Sequence, residues 1–280
     1  MPITIRGPLL SDAEVASFAS TFRAFDPKSQ DTCVRIINGS IYGMGQAGQD
    51  IFVWRNLFAR GTVAGERGIY VDSGSWKPQR DSNTWFFDRC LGWSGVCVEP
   101  VAEHRPALRA QRSCTVVGKC LSHRSRIARM SMQGALSSVG GTANARNISC
   151  VTISNIAQKA GHATIDFWSL DVEGHELTVL SDAWEATGLT VNALLVEDHR
   201  IILAELDRLL LTHHSFVKVA QMPLDTLSRR AAATLSEHPW NDAHEESLWR
   251  SKLWRDYRSK QPGGLSHEAS AGKHEKGRWY

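Results

Sequence analysis

The chain has no apolar run approaching the ~20 residues that a membrane helix needs. Met1 to Pro8 hold no sustained apolar segment, so a secretory signal is not expected. No Cys-x-x-Cys pair occurs among the six cysteines, at positions 33, 90, 97, 114, 120 and 150, so the common zinc and dithiol spacings are missing. Cys97, Cys114 and Cys120 fall in or beside apolar runs. The six therefore read as buried reduced thiols of a cytoplasmic protein. Net charge is small: 32 Lys+Arg against 29 Asp+Glu give +3, too mild to mark a nucleic-acid binder by itself. No internal repeat is visible. The apolar fraction of 42 % excludes wholesale disorder.

The small total hides two opposed blocks. Residues 103–130 hold seven basic residues against Glu103 alone, and residues 161–200 hold eight acids against Arg200 alone. Tryptophan is abundant, with 10 in 280 residues.

Ser11 begins a capping box with Glu14, and Val15, Phe18, Ala19 and Phe22 share one face, so a helix is expected over 11–25. Residues 28–48, rich in Gly, Ser and Asn, read as irregular, and 51–60 as a short helix. From residue 69 apolar runs alternate with helical segments. Strands are expected at 69–71, 95–98, 114–120, 164–172, 191–196 and 215–220. Residues 122–148 show no period and read as a long loop. The strands are near-continuous apolar runs, the mark of a mostly parallel central sheet flanked by helices on both faces, an α/β fold. The chain divides into a helical extension over 1–43, a domain over 44–230, and a tail over 231–280 with a helix at 242–258 and disorder from Gln261.

Gly43-Met44-Gly45-Gln46-Ala47-Gly48 matches G-x-G-x-x-G, with Asp72 at a plausible distance. The preceding segment is broken by Asn38-Gly39, a turn signal, so the match is isolated and a dinucleotide site is not expected. A stronger pattern follows. Acids close the strands: Asp72, Glu99, Asp171 and Glu197. In parallel sheets ligands bind beyond those ends. Gly74 follows the first strand, Asn83 opens a helix, and Glu99 can accept both hydroxyls of a ribose. This order fits S-adenosylmethionine.

Gly45-Gln46-Ala47-Gly48-Gln49-Asp50 with Phe52-Val53-Trp54, then Tyr70-Val71-Asp72-Ser73-Gly74, Ser82-Asn83-Thr84 and Gly92 to Pro100 resemble, in order, the blocks of the FkbM-type methyltransferases. Asp166 to Leu177, containing Asp171-Val172-Glu173-Gly174-His175-Glu176, resembles that family's most distinctive block, and Val196-Glu197 and Asp225-Thr226-Leu227 continue the match. The resemblance implies a class I methyltransferase (Rossmann-like) fold, S-adenosylmethionine as donor and a hydroxyl oxygen as acceptor. It implies that Gln46, Asp50, Asp72, Gly74, Asn83, Glu99 and Asp171 surround the donor; Ser75, where the turn departs from the family pattern, is added as a further donor contact. Pro100 and Cys120, near the ends of the second and third strands, complete that set. The family commonly shows Gly-Ala-x-Asp-Gly after the first strand. Here Gly74-Ser75-Trp76-Lys77-Pro78 stands instead, which leaves open a silent donor-binding interaction module as an alternative to an active enzyme.

A hydroxyl acceptor must lose a proton, so a base or a metal is required. Asp171, His175 and Glu197 are the catalytic candidates, and His175 is the natural base, its pKa raised by neighbouring acids. A divalent metal is the less favoured route, with Asp171, Glu197 and His199 as ligands. Acceptors considered are a hydroxylated small molecule, a polyketide-like compound or a glycan, with RNA ribose as an alternative. No Lys or Arg lies between Asp171 and Glu197, which argues against a Lys-Asp-Lys-Glu ribose mechanism. Arg105, Arg109 and Arg112 read as a solvated helix face. Arg124, Arg126 and Arg129, with His199, are expected to attract an anionic acceptor. Trp76 and Trp85 are stacking candidates. No membrane partner is expected, and the oligomeric state is not legible.

Overall fold

The structure is a computed structural model that describes residues 9–133, 137–142, 144–197, 203–214, 216–221 and 225–230. The tail expected over 231–280 lies outside the described residues. Among the described residues no helix is long and apolar enough to cross a membrane.

Five parallel strands form the frame: β1 (Ile69–Ser73), β2 (Ser94–Val98), β3 (Thr115–Val117), β7 (Thr164–Leu170) and β8 (Thr190–Glu197). β9 (Phe216–Gln221) and β10 (Asp225–Arg230) complete the sheet, in the order β3-β2-β1-β7-β8-β10-β9. β10 runs antiparallel to both β8 and β9. This is the α/β arrangement of a class I methyltransferase, with seven strands, mostly parallel.

Successive strand residues face opposite sides, so each apolar run feeds two cores. Tyr70, Cys97, Phe167, Ala193 and Leu195 face one cluster, and Val71, Val96, Trp168, Leu194 and Val196 face the other. The first cluster is aromatic: Phe58 and Phe87 pack against Trp93 at 5.0 and 4.8 Å, and Phe87 against Phe167 at 4.9 Å. Five of the tryptophans, Trp54, Trp85, Trp93, Trp168 and Trp184, are core residues. Each contributes about 1.5–3 kcal/mol of burial or more.

The N-terminal helices belong to that first core. α1 (Asp12–Thr21) starts on the expected Ser11–Glu14 capping box. Residues 28–48, read from the sequence as irregular, contain a helix, α2 (Gln30–Ile37), which buries Cys33, Ile36 and Ile37. Its own polar residues hide an apolar stripe only one turn wide. The segment after it runs through α3 (Gln49–Val53), a π turn over Trp54–Phe58, and α4 (Ala59–Val63). α5 (Arg105–Gln111) lies between β2 and β3.

The expected loop over 122–148 is not irregular throughout. β4 (Cys120–Leu121), β5 (Arg126–Met130) and β6 (Arg146–Val151) form a second sheet, ordered β4-β6-β5. It buries only a small cluster around Cys120, Ala128 and Cys150, too little apolar content to give a period. α6 (Ile153–Lys159), α7 (Glu176–Leu180) and α8 (Leu203–His214) are the remaining α-helices among the described residues.

The cysteines are not free thiols. Three disulfides join Cys33 to Cys90, Cys97 to Cys114, and Cys120 to Cys150, and no free cysteine remains. The sequence reading failed here because the partners lie 57, 17 and 30 residues apart and meet only through the fold. The bridges tie α2 to the helical segment before β2, β2 to the start of β3, and β4 to β6.

Candidate active site

β1 is flanked by β2 on one side and β7 on the other, so the crevice of the sheet opens where the strand order reverses. Gly74 leaves β1 with φ +84° and donates its amide to Val98 O at 3.0 Å. A Cβ there would stand 1.8 Å from the carbonyl oxygen of Asp171, so only glycine fits. The Asp171 amide donates in turn to Ser73 O at 3.0 Å. The tips of β1, β2 and β7 are thus stitched together, and beyond them lies an open cleft with about 850 Å³ of empty space.

Glu99 forms one wall. It is 3 % exposed. Its Oε2 accepts the Trp76 amide at 2.9 Å and its Oε1 the Val101 amide at 2.7 Å, with His104 Nδ1 3.5 Å from Oε1. Burial pushes its pKa above the ordinary value. The unusual turn after β1 is therefore fastened by Glu99. Trp76 takes φ +27°, lines the cleft, and carries Lys77 Nζ 3.5 Å from its ring centroid. Ser75 is buried, its hydroxyl donating to Asp72 O. Trp85 sits in the core and cannot stack on a ligand.

The opposite wall is acidic. Burial pushes the Asp171 carboxyl up to about 9, with the charges of Glu197, Glu176 and Asp72 adding to the effect. One carboxylate oxygen of Asp171 lies within 4.8 Å of one of Glu197. Glu176 Oε1 accepts the amides of Val172 and Gly174 at 2.9 and 3.2 Å and so shapes the turn after β7.

His175 lines the cleft beside them, but its electrostatics reverse the sequence expectation. Burial, then Arg126 and His123, lower its pKa below 6.5. Arg126 Nη2 lies 3.3 Å from His175 Nε2. The adjacent acid Glu176 is occupied with backbone amides, and the partner that actually faces the ring is cationic. A guanidinium only donates, so Nε2 is the accepting nitrogen and the ring is neutral at pH 7.

Gln46, Gly74, Glu99, Pro100, Cys120, Asp171, His175 and Glu197 all line the cleft. Other expected donor residues stand behind it. Asp72 is buried, accepting from Thr84 Oγ1 at 2.5 Å with Arg112 Nη1 3.5 Å away. Burial raises its pKa against the pull of Arg112. Asp50 is fully buried and accepts the amides of Met44 and Gly45 at 2.8 and 3.3 Å. A Cβ at Gly43 would stand 2.2 Å from its Oδ1, so these glycines serve a turn wrapped on Asp50. Among the described residues no strand precedes that turn, which follows α2, so the G-x-G-x-x-G match has no dinucleotide context there. Asn83 donates to Ser169 Oγ at 3.2 Å, below the glycine turn.

The three arginines separate. Arg126 and Met130 lie on one face of β5, toward the cleft. Arg129 is exposed on the other face, as the two-residue period of a strand requires, and Arg124 is exposed before the strand begins. His199 lies outside the described residues. The sequence reading missed His104 and Lys119, which line the cleft. Their only signal was position, in the connections after β2 and β3.

No curated protein matches the chain as a relative. The family model "Methyltransferase FkbM domain" matches residues 72–218, which include the end of β1, all of β2, β7 and β8, and every cleft wall described above except Gln46. That match covers just over half of the 280 residues. With a class I sheet and a cleft at its switch point, the chain belongs to the FkbM methyltransferase family.

Proposed function

We propose that this methyltransferase uses S-adenosylmethionine and methylates a hydroxyl oxygen of a small molecule or glycan that carries an anionic group. The supporting observation is the cleft itself, which sets Glu99 on one wall and Asp171, His175 and Glu197 on the other. The residues fit the donor. Glu99 Oε2 holds one backbone amide and keeps a lone pair for a ribose hydroxyl. Val101, Leu121 and Met130 supply apolar surface for the adenine. When bound, the donor supplies a methyl group already activated on a sulfonium.

The chain's own residues then have two tasks. Holding the acceptor in line with the methyl is the first, and it supplies much of the acceleration. Removing the hydroxyl proton is the second. His175 is neutral and can accept that proton at Nε2, but Arg126 occupies this lone pair. An anionic group on the acceptor would draw Arg126 away and free Nε2. Lys119 adds positive charge to the cleft wall. Recognition of the anion and release of the base are then one event.

The three disulfides support a protein that matures in an oxidising compartment rather than the cytoplasm.

Calorimetry with S-adenosylhomocysteine, followed by methyl transfer to matched neutral and anionic hydroxylated acceptors, tests this reading. Micromolar product binding and preferential methylation of the anionic acceptor are expected. Donor binding with no turnover across the acceptors would favour a silent interaction module. Absence of donor binding would overturn the proposal.

A further inference from the structure

Three carboxylates converge where β7 and β8 end. Asp171 follows β7, Glu176 opens α7, and Glu197 closes β8. One oxygen of each lies within 4.8 Å of the other two. The strand has already ended at Leu170, so the turn over 171–175 folds the first residue of α7 back beside Asp171. Glu173, which the sequence places two residues from Asp171, takes φ +56° within that turn and is not part of the group.

Glu176 carries the second observation. It is 1 % exposed, with Oε1 committed to the amides of Val172 and Gly174. Its other oxygen, Oε2, is buried and has no hydrogen-bond partner. A buried carboxylate oxygen without a donor, set beside two more carboxylates, is unfavourable unless positive charge enters the site.

We propose that Asp171, Glu176 and Glu197 bind one hard divalent cation at the acceptor end of the cleft. An all-oxygen set selects Mg²⁺, Mn²⁺ or Ca²⁺ over zinc or copper. Asp171 and Glu197 line the cleft, so such an ion stands next to the space the acceptor fills. Its role toward an acceptor hydroxyl, lowering the pKa of that group, rests on the methyl-transfer reading. Its binding does not. This revises the ligand set read from the sequence, placing Glu176 in the position given to His199.

Mn²⁺ alone is the probe, titrated into the full-length oxidised protein and followed by electron paramagnetic resonance of the free ion. One Mn²⁺ per chain is expected, displaced by Mg²⁺ or Ca²⁺ and not by K⁺. Glu197→Gln and Asp171→Asn should each weaken it at least tenfold. Glu176→Gln also disturbs the amides it holds, so those two variants, checked for native circular dichroism, decide the question. No stoichiometric binding, or binding that survives both substitutions, overturns the proposal. S-adenosylhomocysteine binding in the same samples separates the two readings. Product binding without Mn²⁺ binding removes the cation alone, and Mn²⁺ binding without product binding removes the methyltransferase role and leaves the cation site.

Discussion

Arg112 donates from Nε to Asp88 Oδ2 at 2.5 Å, and neither side chain has any exposed surface. The same guanidinium reaches Thr84 Oγ1 at 2.7 Å, Ser82 Oγ at 3.1 Å, Tyr70 Oη at 3.2 Å and Pro78 O at 3.3 Å. One planar fork thereby ties β1, the turn before Asn83 and the end of α5 together. Arg112 was expected on a solvated face with Arg105 and Arg109. It caps the helix instead, in an extended conformation (φ −113°, ψ 155°) that turns the side chain inward.

Breaking this group should be costly. Arg112→Leu leaves Asp72 and Asp88 buried without their cation, and a loss of about 3–5 kcal/mol is expected from guanidinium unfolding curves. Arg112→Lys should recover little, since an ammonium lacks the fork. A change within 1 kcal/mol for Arg112→Leu would refute the assigned role.

Glu99→Gln should weaken S-adenosylhomocysteine binding at least tenfold. Glutamine has one acceptor oxygen, whereas the amides of Trp76 and Val101 each take one carboxylate oxygen. The substitution therefore distorts the turn or removes a ribose contact. Calorimetry on the folded variant checks this, and wild-type affinity would show that Glu99 is not at the donor.

The disulfides predict an absence of maleimide-reactive thiols in denatured, unreduced protein. The double variant Cys33→Ser/Cys90→Ser opens the longest bridged loop, with a separation of 57 residues. Chain-entropy arguments put its cost at about 3–4.5 kcal/mol. Full labelling of all six thiols in protein purified without reductant from its native source would place the chain in a reducing compartment.

Asp50 gives a pH dependence. Burial pushes its carboxyl up to about 7 in the folded chain, from 3.8. Between these values the folded state keeps a proton that the unfolded state releases. Its contribution is therefore greatest below about 4, falls as pH rises to about 7, and is level above that. Asp50→Asn should flatten thermal stability across this window, with a wild-type slope worth about 2–4 kcal/mol. An unchanged slope would contradict the raised pKa.

Arg126→Gln should raise KM for an anionic acceptor about tenfold and leave KM for a neutral acceptor unchanged. Removing the cation beside His175 should also shift the acid limb of kcat/KM upward, since Arg126 holds that pKa down. A charge-independent fall in kcat with an unmoved pH profile would assign Arg126 to folding alone.

Much of this molecule was legible along the chain. The apolar runs at 69–71, 95–98, 164–172 and 191–196 each coincide with a strand, because a parallel sheet buried on both faces leaves few polar positions to interrupt them. The strand-end residues Glu99, Asp171 and Glu197 were marked by the same runs, since each stands at the C-terminal end of one. Weakly apolar elements were not legible: α2 and the β4-β6-β5 sheet bury a few side chains each and depend on neighbours for stability.

The sequence by itself determined the parallel strands of the sheet, the family and the identity of the acids at the cleft, because hydrophobic periodicity and motif order are local properties; it did not mark the antiparallel β10. Tertiary structure alone decided which polar groups share a space. It paired cysteines 17 to 57 residues apart, withdrew Asp72, Asp50 and Arg112 into buried networks, and placed Arg126 against His175. It also set Glu176 beside Asp171 and Glu197. A side chain's charge, partner and chemistry depend on burial and on contacts between distant segments, and only the packed fold supplies these.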